Sequence, residues 1–144
     1  MYTSSNVAAK AYARVGLESG VMGASPYQLI ALLFEGAELA VRMAIRHTQE
    51  HDIDRKSAAI GKATSIILEG LRAGLDARHN PELVAQLESL YDYMVKRIME
   101  AHAKNETAPL EEVLALLREL HDAWTQIGAQ GAAPARSLAH PIAA

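Results

Sequence analysis

Apolar residues recur every three to four positions in four separate stretches of this chain, which is the period of an amphipathic α-helix. The predicted helices cover residues 26–49, 55–76, 81–103 and 109–127. Short polar connections join them, and no stretch shows the strict apolar–polar alternation of a strand. The pattern therefore predicts an all-α fold, an antiparallel up-and-down four-helix bundle.

Capping residues mark where these helices begin and end. Ser25 is followed by a first-turn proline and by Gln28, which together form a capping box. Asn80 stands before a second first-turn proline. Asp54 is the predicted N-cap of the second helix, and Gly128 is the predicted stop of the fourth.

These signals divide the chain into an N-terminal segment, residues 1–24, a bundle, residues 25–128, and a C-terminal tail, residues 129–144. The N-terminal segment mixes small residues with apolar ones and has only a short helical run, so it is expected to dock weakly on the bundle. The tail has two prolines and no apolar period, which is typical of disorder.

The first helix has more apolar surface than one neighbouring helix can cover, because two stripes lie side by side over roughly two thirds of its circumference. Either the helix is buried between several neighbours, or it also lines a groove for a partner. The main stripe consists of Ile30, Leu33, Ala37, Val41 and Ala44, and the second stripe of Leu29, Leu32, Gly36, Leu39 and Met43.

The third helix also has a wide apolar arc. Its main stripe is predicted to contain Leu83, Leu87, Leu90, Tyr91, Met94 and Ile98, and its second stripe Val84, Val95 and Met99. In the fourth helix Leu116 lies off the main stripe, and in the second helix Lys56 is expected to face solvent.

Composition excludes several classes of function. The chain has no cysteine, which excludes thiol catalysis, thiolate metal sites and disulfides. Its net charge of −3 argues against nucleic acid as a partner. No apolar run reaches the roughly 18 residues of a membrane span, and residues 1–20 do not read as a signal peptide. We therefore expect a cytoplasmic protein without direct membrane insertion.

The chain also lacks the patterns of an enzyme. No Glu has a His three residues later, as a di-iron bundle requires, and no Gly-rich phosphate loop is present. His47 and His51 share a helix face, but two solvated histidines near a helix C-terminus are favoured over a metal site. The acidic residues are expected on solvated faces. The sequence predicts no catalytic residue, no metal and no cofactor.

Three motifs and their order resemble one family. They read A-S-P-Y-Q-L-I at 24–30, L-E-S-L-Y-D-Y-M at 87–94 and L-R-E-L-H-D-A-W at 117–124, and they accompany the opening M-Y-T. Together they resemble the flagellar secretion chaperones of the FliS family over nearly the whole chain. No single motif is specific, so the resemblance depends on their order and spacing.

The resemblance implies a cytoplasmic, non-enzymatic chaperone that holds the C-terminal segment of flagellin as helices outside the bundle. Such a chaperone blocks premature polymerisation and helps present flagellin to the export gate, and its N-terminal segment covers part of the groove until flagellin displaces it. The expected groove residues are Leu29, Leu32, Leu39, Met43, Val84, Tyr91, Val95, Met99 and Leu116, and the expected lid residues are Tyr2, Tyr12, Val15 and Leu17.

A competing hypothesis comes from another class of protein. The second stripes could bury each other in a homodimer, which would make the chain a self-associating structural bundle or adaptor without a flagellin client. Sedimentation with and without a flagellin C-terminal peptide distinguishes the two, because a chaperone forms a defined heterocomplex.

Deletion of residues 1–17 tests the expected lid. If the segment only competes for the groove, its removal raises the affinity for a minimal flagellin helix, because the lid's own affinity is subtracted from that of the partner. The free protein also becomes more prone to aggregate. Calorimetric titration measures the affinity, and lost binding at unchanged helicity would mean that the segment contacts the partner directly.

Overall fold

The computed structural model describes residue 10 and residues 25–131, with side chains described up to residue 129. Four long helices and no strand occur in residues 25–131, which confirms the predicted all-α bundle. Helix α1 packs against α2 and α4, and α3 packs against the same two, so α1 and α3 lie diagonally opposite. The helices are α1 (Pro26–Gln49), α2 (Ile53–Ser65, continued by a π-helical segment, Ile66–Arg72), α3 (Pro81–Lys104) and α4 (Ala108–Gly131).

The helix caps agree with the sequence at two of three positions. The Ser25 side chain accepts a hydrogen bond from the Gln28 N–H at 3.1 Å, and the Gln28 side chain accepts one from the Ser25 N–H at 2.8 Å. Asn80 caps α3. The prediction of Asp54 as the cap of α2 is wrong, because His51 adopts a left-handed conformation (φ 57°) that lets Asp52 start the helix.

The core forms around the main stripe of α1, all five residues of which are fully buried, as predicted. The predicted stripe of α3 is wrong at its start, where Val84 is buried and Leu83 is exposed. Val84 lies two helical turns before Tyr91 on the same face, whereas Leu83 is rotated from it by about 100°.

The second helix does not continue as a regular α-helix to residue 76. It becomes π-helical at Ile66, and the Ala73 N–H donates to the Leu68 carbonyl, five residues earlier, at 3.1 Å. The helical conformation then ends at Arg72. Glycines 70 and 74 lie at this end, and glycine is unfavourable in a regular helix.

The first and last helices are locked together by Tyr27. Its ring stacks on Trp124 with 5.2 Å between centroids, and the Trp124 indole N–H donates to the Tyr27 carbonyl at 3.0 Å. A Cβ on Gly128 would lie 1.9 Å from the Tyr27 ring. Gly128 therefore makes room for Tyr27 and does not stop α4, which continues to residue 131.

Lys56 is buried, contrary to the prediction that it faces solvent. Its amine donates to the His102 carbonyl at 3.2 Å and to the Asn105 side-chain oxygen. Asn105 has a left-handed conformation and ends α3. The lysine thus supplies a hydrogen-bond donor for the C-terminal end of α3, where helical carbonyls lack partners.

Substitution Gly128→Ala tests the lock between α1 and α4. The added methyl group displaces the Tyr27 ring, which removes its stacking on Trp124 and the hydrogen bond that its hydroxyl donates to the Thr125 carbonyl at 3.3 Å. This loss outweighs the better helix propensity of alanine. We expect the free energy of unfolding, measured by urea denaturation, to fall by about 1 kcal/mol. Gly61→Ala is the matched control, because a Cβ there meets nothing within 4 Å. It should stabilise the protein, and equal shifts for both variants would contradict the lock.

Substitution Lys56→Met tests the buried amine. The apolar side chain keeps the volume but leaves two oxygens at the end of α3 without a donor, so the free energy of unfolding should fall by about 1 to 3 kcal/mol. Lys96→Met, at an exposed position of α3, should change it by less than about 0.5 kcal/mol. Thermal and urea denaturation measure both variants, and equal stability of the two would show that the amine contributes nothing.

Candidate partner-binding groove

An open groove of about 380 Å³ runs between α1 and α2. On the α1 side it is lined in part by three residues of the second apolar stripe, Gly36, Leu39 and Met43, because the main stripe of that helix already faces the core. On the α2 side it is lined by residues that recur at positions i, i+3, i+4 and i+7, which share one helix face. The lining residues are Gly36, Leu39, Ala40, Met43 and His47 of α1, and Arg55, Ala58, Ala59 and Lys62 of α2.

Small and large residues alternate along this groove. Gly36, Ala40, Ala58 and Ala59 have little or no side chain, so the backbones of both helices are accessible at close range. Leu39 stands beside them with 54 % of its surface exposed. A large apolar side chain next to a line of small residues is the arrangement that a partner helix fills with its own side chains.

The second stripe of α1 is divided by the structure. Leu39 and Met43 line the groove, whereas Leu32 is only partly buried and packs against the core cluster. Leu29 belongs to that cluster and is 5 % exposed, so the expectation that it lies outside the core is wrong. At about 100° per residue, Leu29 is rotated by about 80° from Leu39 toward the main stripe.

The other predicted residues do not join this groove. Val84 and Tyr91 are buried at 2 % and 1 % exposure. This agrees with the place of Tyr91 in the main stripe of α3, and it contradicts the place of Val84 in the second stripe. Val95 and Leu116 are partly buried against the core. Met99 is exposed on α3. Which of these side chains contact a partner stays a prediction, and the lid residues Tyr2, Tyr12, Val15 and Leu17 lie outside the described residues.

The residues by which α2 lines the groove were not predicted from the sequence. Arg55 and Lys62 stand seven residues apart with two alanines between them on the same face. That spacing is visible in the sequence, but alanine at an exposed position is also the commonest good helix former, so it gives no distinct signal. Only the neighbouring stripe of α1 shows that the alanines border a groove.

A buried histidine closes the groove at the end of α1. His47 lies at 6 % exposure, with its Nδ1 atom 3.2 Å from the Glu50 carboxylate, so the expectation that it is solvated is wrong. The hydrogen bonds from Arg46 and then from His47 lower the pKa of Glu50 below its ordinary value. Within residues 25–131, no three side chains of the metal-binding types come together.

A second histidine links α1 to α4 away from the groove. The Nδ1 atom of His121 lies 2.7 Å from the Glu38 carboxylate, and its ring stacks on Phe34 at 5.6 Å. Glu38 is buried, contrary to the expectation that every acidic residue is solvated. Both histidines therefore make structural contacts within the bundle.

The opposite edge of the bundle, between α3 and α4, carries an exposed polar network. Tyr93 donates to Glu112 at 2.6 Å, and Arg97 bridges Glu112 and Glu100. The hydrogen bonds from Tyr93 and then Arg97 lower the pKa of Glu112, and the same carboxylate raises the pKa of Tyr93. These side chains thus satisfy each other's hydrogen bonds across the α3–α4 edge.

The groove has open apolar surface that a partner could cover, and its lining residues form no catalytic arrangement. Its polar groups are one imidazole, one guanidinium and one amine, and no nucleophile stands beside a base among its lining residues. No helix formed by the described residues has the length and apolar content to cross a membrane.

Comparison with known proteins gives a consistent family. The sequence-family model described as flagellar protein FliS matches residues 8–131 of this chain. The flagellar secretion chaperone FliS of Salmonella typhimurium is 45 % identical over 127 residues, covering 88 % of this chain and 93 % of that protein. The flagellar secretion chaperones FliS of Escherichia coli and FliSB of Pseudomonas aeruginosa are 41 % and 40 % identical, covering 81 % and 83 % of this chain and 86 % and 94 % of theirs. This chain belongs to the FliS family of flagellar secretion chaperones.

Proposed function

We propose that this chain is a cytoplasmic export chaperone that holds the C-terminal segment of flagellin as helices on the outside of its bundle, with the α1–α2 groove as one docking site. Binding keeps flagellin from polymerising early and delivers it for export, with the export gate as a further partner. The chain acts as a chaperone and not as an enzyme. The lid expected from the N-terminal segment belongs to the same proposal.

The exposed Leu39 beside the small residues of the groove is the observation that carries this proposal. A leucine that keeps 54 % of its surface in water loses hydrophobic free energy that a bound partner can recover. Full burial of a leucine side chain is favourable by about 1.5 to 3 kcal/mol, so the remaining half contributes about 1 kcal/mol. Burial of Leu39 by an apolar partner would therefore be favourable, and it would need no change in the core.

The length and shape of the groove fit a helix. From Gly36 to His47 the groove follows α1 over eleven residue-to-residue steps, which correspond to roughly 16 Å or three helical turns. A segment that is disordered when free can adopt this conformation on binding, because the groove covers its apolar face. Helix-in-groove recognition is therefore the mode that the geometry supports.

Substitution Leu39→Asp tests this docking site. A charge in the groove should weaken binding of a flagellin C-terminal peptide by about 1 to 3 kcal/mol, because the apolar contact of Leu39 is lost and a carboxylate is desolvated in its place. Folding should survive, since the side chain is exposed in the free protein. Calorimetric titration gives the affinity, and circular dichroism gives the helicity.

Leu83→Asp is the matched control, because Leu83 is also an exposed leucine but lies on the diagonally opposite helix. Its affinity should stay within about twofold of the original chain, a difference of less than about 0.5 kcal/mol. Equal losses for the two variants would place the docking site elsewhere. Sedimentation of the unmodified chain gives the second answer, since a homodimer that flagellin peptide does not dissociate would support the self-association hypothesis.

A further inference from the structure

The ionisable side chains that line the α1–α2 groove are all nitrogen groups. Arg55 and Lys62 come from α2 and His47 from α1, and no carboxylate is among the lining residues. The whole chain carries a net charge of −3, so this lining differs in sign from the average surface. A local excess of cationic groups around an apolar groove favours a partner with complementary charge.

The two cations stand in one line along the groove. Arg55 and Lys62 are seven residues apart on α2, which places them on the same helix face about 10 Å from each other along the axis. Two carboxylates on a bound helix can match them only if they have a similar spacing. The arrangement therefore selects a pattern of charge as well as its sign.

Arg55 has spare capacity to bind a carboxylate. Its side chain is 74 % exposed, and its guanidinium lies 3.6 Å from Asp52, longer than the 2.7 to 2.9 Å of a charge-assisted hydrogen bond. Asp52 already accepts the Arg55 backbone N–H at 3.1 Å as the cap of α2. The guanidinium presents five N–H donors, so it can pair with a partner while Asp52 remains in place.

We propose that the occupant of this groove is an amphipathic helix of about three turns whose apolar face packs between Leu39 and the α2 alanines, and whose α2-side flank carries carboxylates that pair with Arg55 and Lys62. This inference rests on the proposed function and adds the chemistry of the segment that the groove selects. The apolar contacts supply the affinity. The ion pairs fix the orientation and register of the bound helix and speed its association.

Two synthetic helices test the inference on the full-length chain. Both carry the same apolar face, and one has Glu at two flank positions seven residues apart where the other has Gln. At low salt the Glu peptide should bind roughly 2- to 30-fold more tightly, as expected for two exposed ion pairs. The difference should shrink in 0.5 M salt, where charges are screened over roughly 4 Å.

Matched variants locate the preference in the groove. The double variant Arg55→Glu/Lys62→Glu should abolish or invert the preference for the Glu peptide. Arg118→Glu/Lys96→Glu makes the same change of net charge at exposed positions outside the groove and should retain it. Leu39→Asp should weaken both peptides. If the first variant fails to fold, Arg55→Gln/Lys62→Gln carries the same test.

The inference is overturned if the two peptides bind the unmodified chain equally, if neither binds, or if the preference survives in the Arg55→Glu/Lys62→Glu variant. A flagellin C-terminal peptide separates this outcome from failure of the proposed function. Binding of flagellin without a charge preference removes the inference alone. A preference among the synthetic helices with no binding of flagellin removes the proposed function and leaves the chemistry of the groove intact.

Discussion

Burial of the main stripe of α1 against its neighbours is the constraint on which the rest of this structure depends. Ile30, Leu33, Ala37, Val41 and Ala44 occupy the centre of the core, so the rotation of α1 about its own axis is fixed. Once that rotation is set, Leu39 and Met43 are held at the edge toward α2. The groove is thus a consequence of core packing.

The sequence was sufficient for features that depend on one helix alone. The capping box at Ser25, the cap at Asn80 and the full main stripe of α1 follow from local hydrogen bonding and helical period. The exposure of Leu39 also follows from period, because it lies almost opposite the centre of the core stripe. The same helical period places Met43 next to Leu39, away from the centre of the core stripe.

Features that depend on two helices could not be predicted in this way. Lys56 is buried only because carbonyl and amide oxygens at the end of α3 meet its amine, and no pattern around residue 56 indicates that. Leu83 and Val84 are both apolar, so their roles are decided by the angle at which α3 enters the bundle. The alanines of α2 line a groove only because of the helix that packs beside them.

The contact of Tyr27 with Gly128 brings the two ends of the four-helix bundle together. The start of α1 and the end of α4 touch, while the connections of α1 to α2 and of α3 to α4 lie at the far pole. A circular permutant that joins the start of α1 to the end of α4 and opens the chain between α3 and α4 would keep all four helices of the bundle and the whole groove. Such a rearrangement would move both free ends to the pole where α1 meets α2, and any cargo fused to them would then leave the bundle from the other side.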